Sequence, residues 1–475
     1  MTTSDIRVRW APSNTGPDVH IGNVRTILFN YLFAKKNKGT TIFRIEDSDL
    51  IRSKPEYADA ISDSLNWLGL TADEGYKIGG DYGPYLQTDK INRYKKVADE
   101  LIQKGLAYRC YCTSEELNAL RNEMPEKLRD RFRYPNICRD RKDWPNDKDY
   151  VVRIKAPTEG SVSWDDIVFK KMVVPNKENY DWVIMRGNGI PLYNFGCCVD
   201  DLDQKITHVI RGRDHTINTN IQILIHQMLG THNITFCHLP MMLGQDGAKL
   251  SKRHAAVSIN DYRLAGYSPS GILNYLVRFG FGFGNQEIFS MEDLVEKFSL
   301  EDCGRNDGKF DPKKFSAIQY EHLKNIQLTS DIDYANHLLP FIKKNGYDTT
   351  IDEVIKVVPL VREKTRNFVE AANLINFYFN DTVKPEEDAA TKLLTPDTKE
   401  KMSMLSDALQ KCDWNETDIK TTTQSWLTEK QTSLKDVGQA IRLSITGKLI
   451  SPELFQTMQA IGKEKVISRL KDAAR

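Results

Sequence analysis

The sequence predicts an α/β protein in which a doubly wound parallel sheet is interrupted by an inserted α+β domain and followed by an all-helical region. Strand-like and helix-like segments alternate over residues 6–104, which is typical of a parallel sheet. The alternation stops at a stretch of short β-rich pieces and resumes near residue 205. From about residue 328 onwards, apolar residues recur at helical spacing and strand patterns are rare. These three observations predict the fold class.

The first hundred residues supply the first half of the predicted sheet. β-branched and aromatic runs alternate with amphipathic ones, so parallel strands should be joined by helices on the faces of the sheet. The predicted segments are the strand IRVRWA, the helix Val24–Lys36, the strand TTIFRIED and the helices Pro55–Leu68 and Ile91–Lys104.

The middle of the chain reads as an insertion into that sheet. From Cys110 to Tyr180 the sequence consists of short β-rich pieces, YVVRIKAP and SVSWDDIVFKKMVV, with many turns between them. The α/β pattern then resumes with KITHVIRGRDH and a predicted helix at Thr219–Leu229. The second half of the sheet should therefore follow the inserted domain.

Beyond Ser268 the sequence becomes helical. PSGILNYLVRFGF and MEDLVEKFSLEDC have apolar residues at helical spacing. Further amphipathic helices are predicted at Asp352–Val361, Asn367–Phe379, Lys399–Cys412 and Phe455–Arg469.

Composition excludes several classes of protein. A chain of 475 residues should form roughly three to four domains. A net charge of +1 argues against binding by bulk electrostatics. No apolar run approaches roughly 18 residues, and the start of the chain lacks a signal-peptide core, which together predict a cytoplasmic protein. The eight cysteines are scattered, as expected of reduced thiols.

One local charge excess stands out between Arg121 and Lys142. Eight basic residues face four acidic ones there, with Phe132, Tyr134 and Trp144 within or just beyond the stretch. Such a mixture suits a phosphate backbone with exposed bases, and it equally suits a solvated basic surface. Both interpretations stay open at this point.

Two short signatures carry chemistry. PSNTGPDVHIGN, from Pro12 to Asn23, places a glycine- and proline-rich turn between a strand and a helix, where backbone N–H groups and the helix dipole can hold phosphate. Alone it could be an ordinary loop. The second signature, DGAKLSKRHAAVS, places Lys249 and Lys252 on a loop preceded by glycine.

Together the two signatures resemble the HIGH and KMSKS motifs of class I aminoacyl-tRNA synthetases, which implies that the turn is shaped for ATP. The likeness extends over essentially the whole chain and is closest to the bacterial glutamyl-tRNA synthetases. The segments that carry it, in order, are RWAPSNTGPDVHIGNVRTILFNYLFA, FRIEDSD, GIPLYNFGCCVDD, THVIRGRDH, KLSKRHAAVS, LNYLVRFGF and IRLSITGKLISPELFQTMQAIGKEKVISRL.

The resemblance implies a Rossmann-type catalytic domain with an acceptor-binding insertion, a stem-contact domain and a helical anticodon-binding region. It also implies tRNA(Glu) and L-glutamate as partners, ATP with Mg²⁺, a monomer and no membrane. The expected boundaries are 1–105 and 189–255 for the two halves of the catalytic domain, 106–188 for the insertion, 256–327 for the stem-contact domain and 328–475 for the anticodon-binding region.

The implied reaction is activation of glutamate by ATP and transfer of glutamate to tRNA. The attacking carboxylate is already an anion, so catalysis should rest on positioning and on neutralising phosphate charge. By motif matching, His20, Lys249 and Lys252 are the expected catalytic residues. The expected ATP-binding residues are Ser13, Thr15, Gly16, His20, Gly22, Asn23, Lys249, Leu250, Ser251, Lys252 and Arg253.

Glutamate needs a cation for each carboxylate and an anion or hydroxyl for its ammonium. The residues that the resemblance places in these roles are Arg9, Ala11, Ser13, Glu46, Tyr193 and Arg211. Outside the family context, Arg9 could be a surface charge, Glu46 a helix N-cap acid and Tyr193 simple core packing.

The chain departs from the family pattern at three positions near these motifs. Asn14 stands where proline is usual, which should loosen the turn. Cys197 stands where some relatives have an asparagine that contacts substrate, so its role is open. Arg213 replaces a commonly acidic residue and should change the charge near the active site.

A zinc site is also implied. Cys110, Cys112, Cys138 and Asp140 resemble the C-x-C…C-x-H zinc site of some bacterial relatives, with aspartate in place of the final histidine. Zinc accepts carboxylate oxygen, but structural sites prefer cysteine and histidine. One structural Zn²⁺ and three unliganded thiols are both compatible with the sequence.

Two rivals share parts of the pattern. Glutaminyl-tRNA synthetases have the same catalytic core but usually end in β-barrels, and the predicted helical end argues against them. A paralogue that binds tRNA without charging it is disfavoured by intact HIGN and KLSKR. The sequence does not decide whether tRNA(Gln) is charged as well.

Overall fold

The chain divides into two units. The first comprises Met1–Asn260 and Leu273–Asp311, and the second comprises Asp261–Ile272 and Pro312–Arg475. The computed structural model describes residues 6–145, 148–231, 234–250 and 258–475. Within these ranges, every helix is too short or too polar to cross a membrane.

The secondary structure alternates between strands and helices until about residue 310 and is helical thereafter. The strands are β1 (Arg7–Trp10), β2 (Thr40–Phe43), β3 (Glu74–Gly75), β4 (Ala107–Cys110), β5 (Val151–Ile154), β6 (Ser161–Asp166), β7 (Lys170–Pro175), β8 (Val183–Met185), β9 (His208–Gly212), β10 (Thr235–Leu239), β11 (Met242–Leu243) and β12 (Gly308–Lys309). The helices of the first 311 residues are α1 (Ile21–Lys36), α2 (Pro55–Trp67), α3 (Ile91–Gln103), α4 (Ser114–Glu123), α5 (Tyr193–Asp203), α6 (Thr216–Met228), α7 (Ile259–Leu264), α8 (Pro269–Val277) and α9 (Met291–Lys297). Those that follow are α10 (Pro312–Lys324), α11 (Asp331–Lys344), α12 (Ile351–Val361), α13 (Phe368–Ile375), α14 (Glu387–Leu393), α15 (Pro396–Leu409), α16 (Glu416–Glu429), α17 (Leu434–Thr446), α18 (Leu454–Ile461) and α19 (Lys463–Ala473).

The parallel sheet of the first unit is formed by strands that precede the insertion and strands that follow it. β1, β2 and β3 pair in parallel in that order, and β9 pairs in parallel with β10. The Thr207 N–H donates to the Arg7 carbonyl at 3.0 Å, which joins the edge of β1 to the start of β9. The strands therefore follow one another across the sheet as β3, β2, β1, β9, β10.

The first connecting helix, α1, is buried along most of its length because it packs on this sheet and on the segment after α9. The Asn30 side chain donates to the Ile210 carbonyl in β9 at 3.1 Å. On another face of the helix, Phe29 meets Phe298 edge to face, with ring centroids 5.0 Å apart. The run TILFNYLFA, apolar except for Thr26 and Asn30, suits a helix covered on several sides.

The insertion is antiparallel where the rest of the unit is parallel. β4, β5 and β8 form one sheet, and β6 pairs with β7 as a separate hairpin. α3 and α5 share a core with the three-stranded sheet through residues such as Tyr94, Ile154 and Phe195. The helix α4 was not predicted, although Thr113 and Glu116 form a capping box at its start.

In the second unit, residues 312–475 contain helices and no strand; this span is described throughout. The helices share one apolar core to which Tyr334, Val358, Leu405, Trp426 and Met458 contribute. The helical prediction for this region is confirmed.

The fold class is confirmed, and the differences lie in single elements. The helix predicted from Val24 begins at Ile21, because the His20 side chain caps it. The single helix predicted over Phe455–Arg469 is wrong. Gly462, with a φ of 94°, separates α18 from α19, and a left-handed backbone of this kind ends a helix. The five-domain division stays a prediction.

Candidate active site

A cleft of about 560 Å³ opens beyond the carboxyl ends of β1, β2 and β9. In open α/β sheets ligands bind at this edge, where the strand order reverses, and here it reverses between β1 and β9. The predicted ATP- and glutamate-binding residues that line the cleft are Arg9, Ala11, Ser13, Thr15, His20, Gly22, Asn23, Glu46, Tyr193, Arg211, Lys249 and Leu250.

Of the remaining predicted nucleotide residues, the structure describes only Gly16. Gly16 lies in the same turn without lining the cleft, and a Cβ added there would meet no atom within 4 Å. Ser251, Lys252 and Arg253 fall outside the described residues.

His20 stands at the amino end of α1 with an extended backbone, as an N-cap residue should. Its Nδ1 accepts the Gly22 N–H at 2.9 Å, so Nδ1 carries no proton and Nε2 carries it when the ring is neutral. Burial lowers the pKa of His20, and the charge of Lys249 lowers it further, against a hydrogen bond with the Leu250 backbone. The ring is thus neutral at pH 7, and Nε2–H is its donor in the hydrogen bond with the Leu250 backbone.

Lys249 brings positive charge to the rim of the same cleft. Its Nζ lies 2.8 Å from Oδ2 of Asp214, and the lysine side chain is 67% exposed. An ion pair this exposed contributes little to stability, so the ammonium can exchange the carboxylate for another anion.

A buried ionic network forms the floor of the cleft. Arg9 Nε lies 3.2 Å from Oδ1 of Asp201, and Arg44 Nη1 donates to that same oxygen at 2.8 Å. Arg44 Nη2 also donates to Oε1 of Glu46 at 3.0 Å. Burial acts to lower the pKa of Arg9, but Asp201 raises it overall, so both arginines stay charged.

The pKa values of the two carboxylates in this network are shifted in opposite directions. Burial works to raise the pKa of Asp201, yet Arg9 and Arg44 hold it well below its usual range. Glu46 has a raised pKa, because its burial outweighs the attraction of Arg44 and Arg9.

A second tier lies under the first and was not predicted. Asp200 accepts hydrogen bonds from Lys90 Nζ at 2.7 Å, Tyr94 OH at 2.8 Å and Gln87 Nε2 at 2.9 Å. These partners fix the start of α3 against α5, on which Asp201 also lies.

Arg211 enters the cleft from the end of β9 and is 5% exposed. Its Nη2 donates to Thr219 Oγ1 at 2.7 Å, and its Nε faces His238 Nε2 at 3.4 Å. Its Nη1 is buried and has no hydrogen-bond partner among the described residues. A buried guanidinium with one unused N–H group is suited to receive an anionic ligand.

Tyr193 is the first residue of α5 and lines the cleft beside His215. Its hydroxyl lies 3.3 Å from His215 Nδ1. Burial raises the pKa of Tyr193 and lowers that of His215 to about 4, so both side chains are neutral at pH 7.

The three departures from the family pattern have defined surroundings. Asn14 is buried and its Nδ2 donates to the Lys54 carbonyl at 2.9 Å, which ties the turn to the start of α2 rather than loosening it. Arg213 pairs with Asp307 at 2.9 Å and does not line the cleft.

Cys197 lies under the cleft between the two network arginines, with Sγ 3.7 Å from Arg9 Nη2 and 3.5 Å from Arg44 Nη2. Burial raises its pKa to about 12, so it is a neutral thiol.

Three predicted zinc ligands are clustered in the insertion. The sulfur atoms of Cys110, Cys112 and Cys138 lie within 4.8 Å of one another, and the last two are 3.7 Å apart. With Zn–S bonds of about 2.3 Å, a tetrahedral site has sulfur atoms about 3.8 Å apart, so the cluster fits zinc.

The predicted fourth ligand does not join this cluster. The Asp140 side chain is 89% exposed and faces Lys155 at 3.6 Å. The hydroxyl of Tyr134 lies among the thiols instead, 3.3 Å from Cys110 Sγ and 3.8 Å from Cys112 Sγ. The spacing of Cys138 and Asp140 suggested a ligand pair, but it does not determine where an exposed side chain points.

Sequence reasoning overlooked the network partners Arg44, Asp200 and Asp201, although each lies in a segment noted for other reasons. Arg44 follows the apolar Ile42 and Phe43 in a strand, which is a signal for a buried charge that needs a partner.

Comparison with known proteins agrees with this geometry. Residues 5–317 match the family of class I tRNA synthetases (E and Q), catalytic domain, and residues 333–474 match an anticodon binding domain. The chain is 41% identical to the glutamate–tRNA ligase of Anaeromyxobacter sp. (strain K), over 99% of this chain and 98% of that one. It is 39% identical to the glutamate–tRNA ligase of Geobacter sulfurreducens, with the same coverage.

Solved structures give the same answer. A glutamate tRNA ligase from Elizabethkingia meningosepticum, crystallised in complex with its amino acid, superposes with a TM-score of 0.82 at 30% identity, covering 99% of both chains. The chain therefore belongs to the class I tRNA synthetases of the glutamate and glutamine type, among the glutamate–tRNA ligases.

Proposed function

We propose that this chain activates L-glutamate with ATP to glutamyl adenylate and transfers the glutamate to the 3′ end of tRNA(Glu), releasing AMP and pyrophosphate. One observation carries the proposal: two buried arginines and a buried glutamate meet in the same cleft as the capped amino end of α1. A substrate with two carboxylates and an ammonium is complementary to Arg9, Arg211 and Glu46.

The nucleotide is expected on the other side of this cleft. The amino end of α1 offers its dipole, and Lys249 offers a positive charge at the rim. The Nε2–H of His20 would exchange the Leu250 backbone for a phosphate oxygen. Asp49 and Asp214 also line the cleft and provide oxygen ligands that Mg²⁺ accepts. Bound with ATP, Mg²⁺ would neutralise phosphate charge.

In the activation step, a carboxylate oxygen of glutamate forms a bond to the α-phosphorus and pyrophosphate leaves with the electron pair of the broken P–O bond. The nucleophile is already ionised, so the cleft needs no general base. His20 and the lysines contribute by stabilising charge that builds on the phosphates.

The decisive experiment is aminoacylation with labelled glutamate, using purified tRNA(Glu) and tRNA(Gln) separately. Charging of tRNA(Glu) supports the proposal, and charging of tRNA(Gln) as well would extend it. A paralogue that only binds tRNA would charge neither. The all-helical residues 312–475 disfavour the glutamine enzyme, whose end is expected to form β-barrels.

We expect Lys252→Ala to lower the rate of adenylate formation about 100-fold while leaving the fold intact, because one positioned charge at the phosphates is lost. The expectation rests on its place in KLSKR. Single-turnover kinetics at saturating ATP measure this rate, and an unchanged rate contradicts the assignment. Lys177→Ala, in the insertion's short 3₁₀ turn, is a control that should keep the wild-type rate.

We also propose one structural zinc ion at Cys110, Cys112 and Cys138, with the Tyr134 hydroxyl at the fourth position. Elemental analysis of protein purified without chelator should find about one zinc per chain. Cys112→Ser should lose most of it, because a thiolate ligand is removed.

Two controls sharpen the zinc experiment. Cys412→Ser, a partly buried cysteine in the second unit, should retain the metal. Asp140→Ala should retain it too, since that carboxylate is exposed, lies near Lys155 and is not part of the thiol cluster. Metal-free wild-type protein would contradict the site, and loss of zinc in Asp140→Ala would restore aspartate as the fourth ligand.

A further inference from the structure

A buried chain of polar side chains runs from the β6–β7 hairpin of the insertion to Arg211. Asp166 Oδ2 lies 2.5 Å from His238 Nδ1, and His238 Nε2 lies 2.9 Å from Thr219 Oγ1. Thr219 Oγ1 in turn accepts from Arg211 Nη2 at 2.7 Å. Four elements, β6, β10, α6 and β9, supply one residue each, and all four side chains are buried.

The hydrogen bonds of Asp166 determine which atoms donate and which accept along this row of side chains. Its Oδ1 accepts the backbone N–H groups of Val168 and Phe169, at 3.1 and 2.9 Å, and Oδ2 accepts that of His238 at 3.2 Å. An oxygen pair surrounded by donors is a carboxylate, so His238 Nδ1 must donate to it. In a neutral imidazole, Nε2 is then an acceptor.

The neutral state of His238 follows from its position. Burial lowers the pKa of the ring, although the hydrogen bond with Asp166 opposes that effect. The unprotonated Nε2 can therefore accept the hydroxyl proton of Thr219. The alternative acceptor for that proton, the His215 carbonyl, is farther away at 3.4 Å.

With its proton directed at His238, the Thr219 oxygen turns its lone pairs toward Arg211. The guanidinium is planar, so the Nη2 hydrogen bond to Thr219 and the longer one that Nε donates to His238 Nε2, at 3.4 Å, together fix the direction of Nη1. Nη1 is the group that lacks a partner among the described residues, on a side chain that lines the cleft.

We propose that Asp166, His238 and Thr219 are positioning residues that orient the Arg211 guanidinium for a carboxylate of the glutamate substrate. The inference rests on the proposed function and deepens it, because it adds three residues that do not touch the substrate. Asp166 belongs to the insertion, so the hairpin contributes to an amino-acid site built mainly by the parallel sheet.

A merely structural role for these residues has a different consequence. If these hydrogen bonds only satisfied buried polar groups, removing one would lower thermal stability and leave the KM for glutamate unchanged. If they orient Arg211, the KM for glutamate changes. The KM for ATP stays constant, because His20 and Lys249 take no part in these hydrogen bonds.

The test compares Thr219→Val with Thr219→Ser in aminoacylation assays that contain tRNA(Glu). Valine keeps the shape of threonine but removes the hydroxyl, whereas serine keeps the hydroxyl. We expect Thr219→Val to raise the KM for glutamate about tenfold, the typical effect of losing a hydrogen bond to a charged group. Thr219→Ser should stay within about twofold of the wild type.

Thr423→Val is the matched control for burial. Thr423 is buried in α16 of the second unit and its hydroxyl donates to the Ile419 carbonyl of the same helix. It should lose stability without a change in the KM for glutamate. A Thr219→Val protein with wild-type KM, or a Thr219→Ser protein as impaired as Thr219→Val, overturns the proposal.

Asp166→Asn is the second variant, should Thr219→Val fail to fold. An amide that donates to Nδ1 forces the imidazole proton onto Nε2. Nε2 then donates to Thr219 instead of accepting from it, so the direction of these hydrogen bonds is reversed. The KM for glutamate should rise as in Thr219→Val, and an unchanged KM overturns the proposal. Wild-type protein that does not charge tRNA(Glu) contradicts the proposed function itself, which separates the two failures.

Discussion

Replacing Arg211 by leucine is expected to lower kcat/KM for glutamate roughly 30- to 5,000-fold, equivalent to about 2–5 kcal/mol. The loss follows from leaving a substrate carboxylate unpaired in a cleft where Arg211 is only 5% exposed. A glutamine side chain would present N–H donors to a group that can only donate, so the arginines of the cleft favour an anion. Steady-state kinetics with varied glutamate measure the effect.

Arg213→Leu is the matched control for this prediction. It lies two residues along the chain, is exposed, pairs with Asp307 and does not line the cleft. It should keep near wild-type kinetics, and neither variant should change the KM for ATP by more than about threefold. If Arg211→Leu uses glutamate within a few-fold of the wild type, the cleft does not bind the substrate as proposed.

Arg9→Leu should also weaken glutamate use, but with a second consequence that Arg211→Leu lacks. Arg9 is a partner of Asp201, which would then depend on Arg44 alone. Its loss should therefore combine a weaker amino-acid site with lower stability. Both variants are then assayed for glutamate use with glutamine as a competitor. The variant that discriminates less between glutamate and glutamine identifies the arginine that receives the side-chain carboxylate.

The parallel sheet and the helical end were predictable because both leave a local trace in the sequence. Strand and helix periods alternate over the first hundred residues, and helix periods persist after residue 328. The break between α18 and α19 was missed because apolar spacing continues across Gly462. The glycine itself was the available signal, since a left-handed residue at that point ends the helix.

The cleft was predictable to the extent that its residues lie in short motifs. The polar turn after β1 and the arginine at the end of β9 are recognisable from residue type and position. The network beneath them was not, because Arg44 and Asp201 are 157 positions apart in the chain. Such residues meet only in the folded protein, where strands from before and after the insertion lie side by side in the sheet.

Arg44→Met is expected to lower the free energy of unfolding of the first unit by about 3–5 kcal/mol at neutral pH, the usual result of removing one partner of a buried ion pair. Arg44 and Asp201 have side chains that are each 1% exposed, and Arg44 is also bonded to Glu46. Methionine fills a similar volume but leaves these two carboxylates with fewer cations.

The deficit should shrink from pH 7.5 to pH 5, and Glu46 accounts for this change. Asp201 has a lowered pKa in the folded wild type, so its contribution is complete above its unfolded pKa of roughly 4 and is lost only at lower pH. Glu46 has a raised pKa, which costs stability at neutral pH. Without Arg44 that pKa rises further, and protonation then relieves the cost.

Denaturant unfolding of the wild type and Arg44→Met at pH 7.5 and pH 5 measures the difference. Arg93→Met is the matched control, because Arg93 pairs with Asp203 at 2.8 Å with side-chain exposures of 37% and 21%. A partly exposed pair of this kind should cost about 1 kcal/mol or less, with little dependence on pH. An Arg44→Met deficit as small as that of Arg93→Met, or one that grows toward pH 5, would mean that Arg44 is not the counterion that keeps Asp201 and Glu46 ionised beneath the cleft.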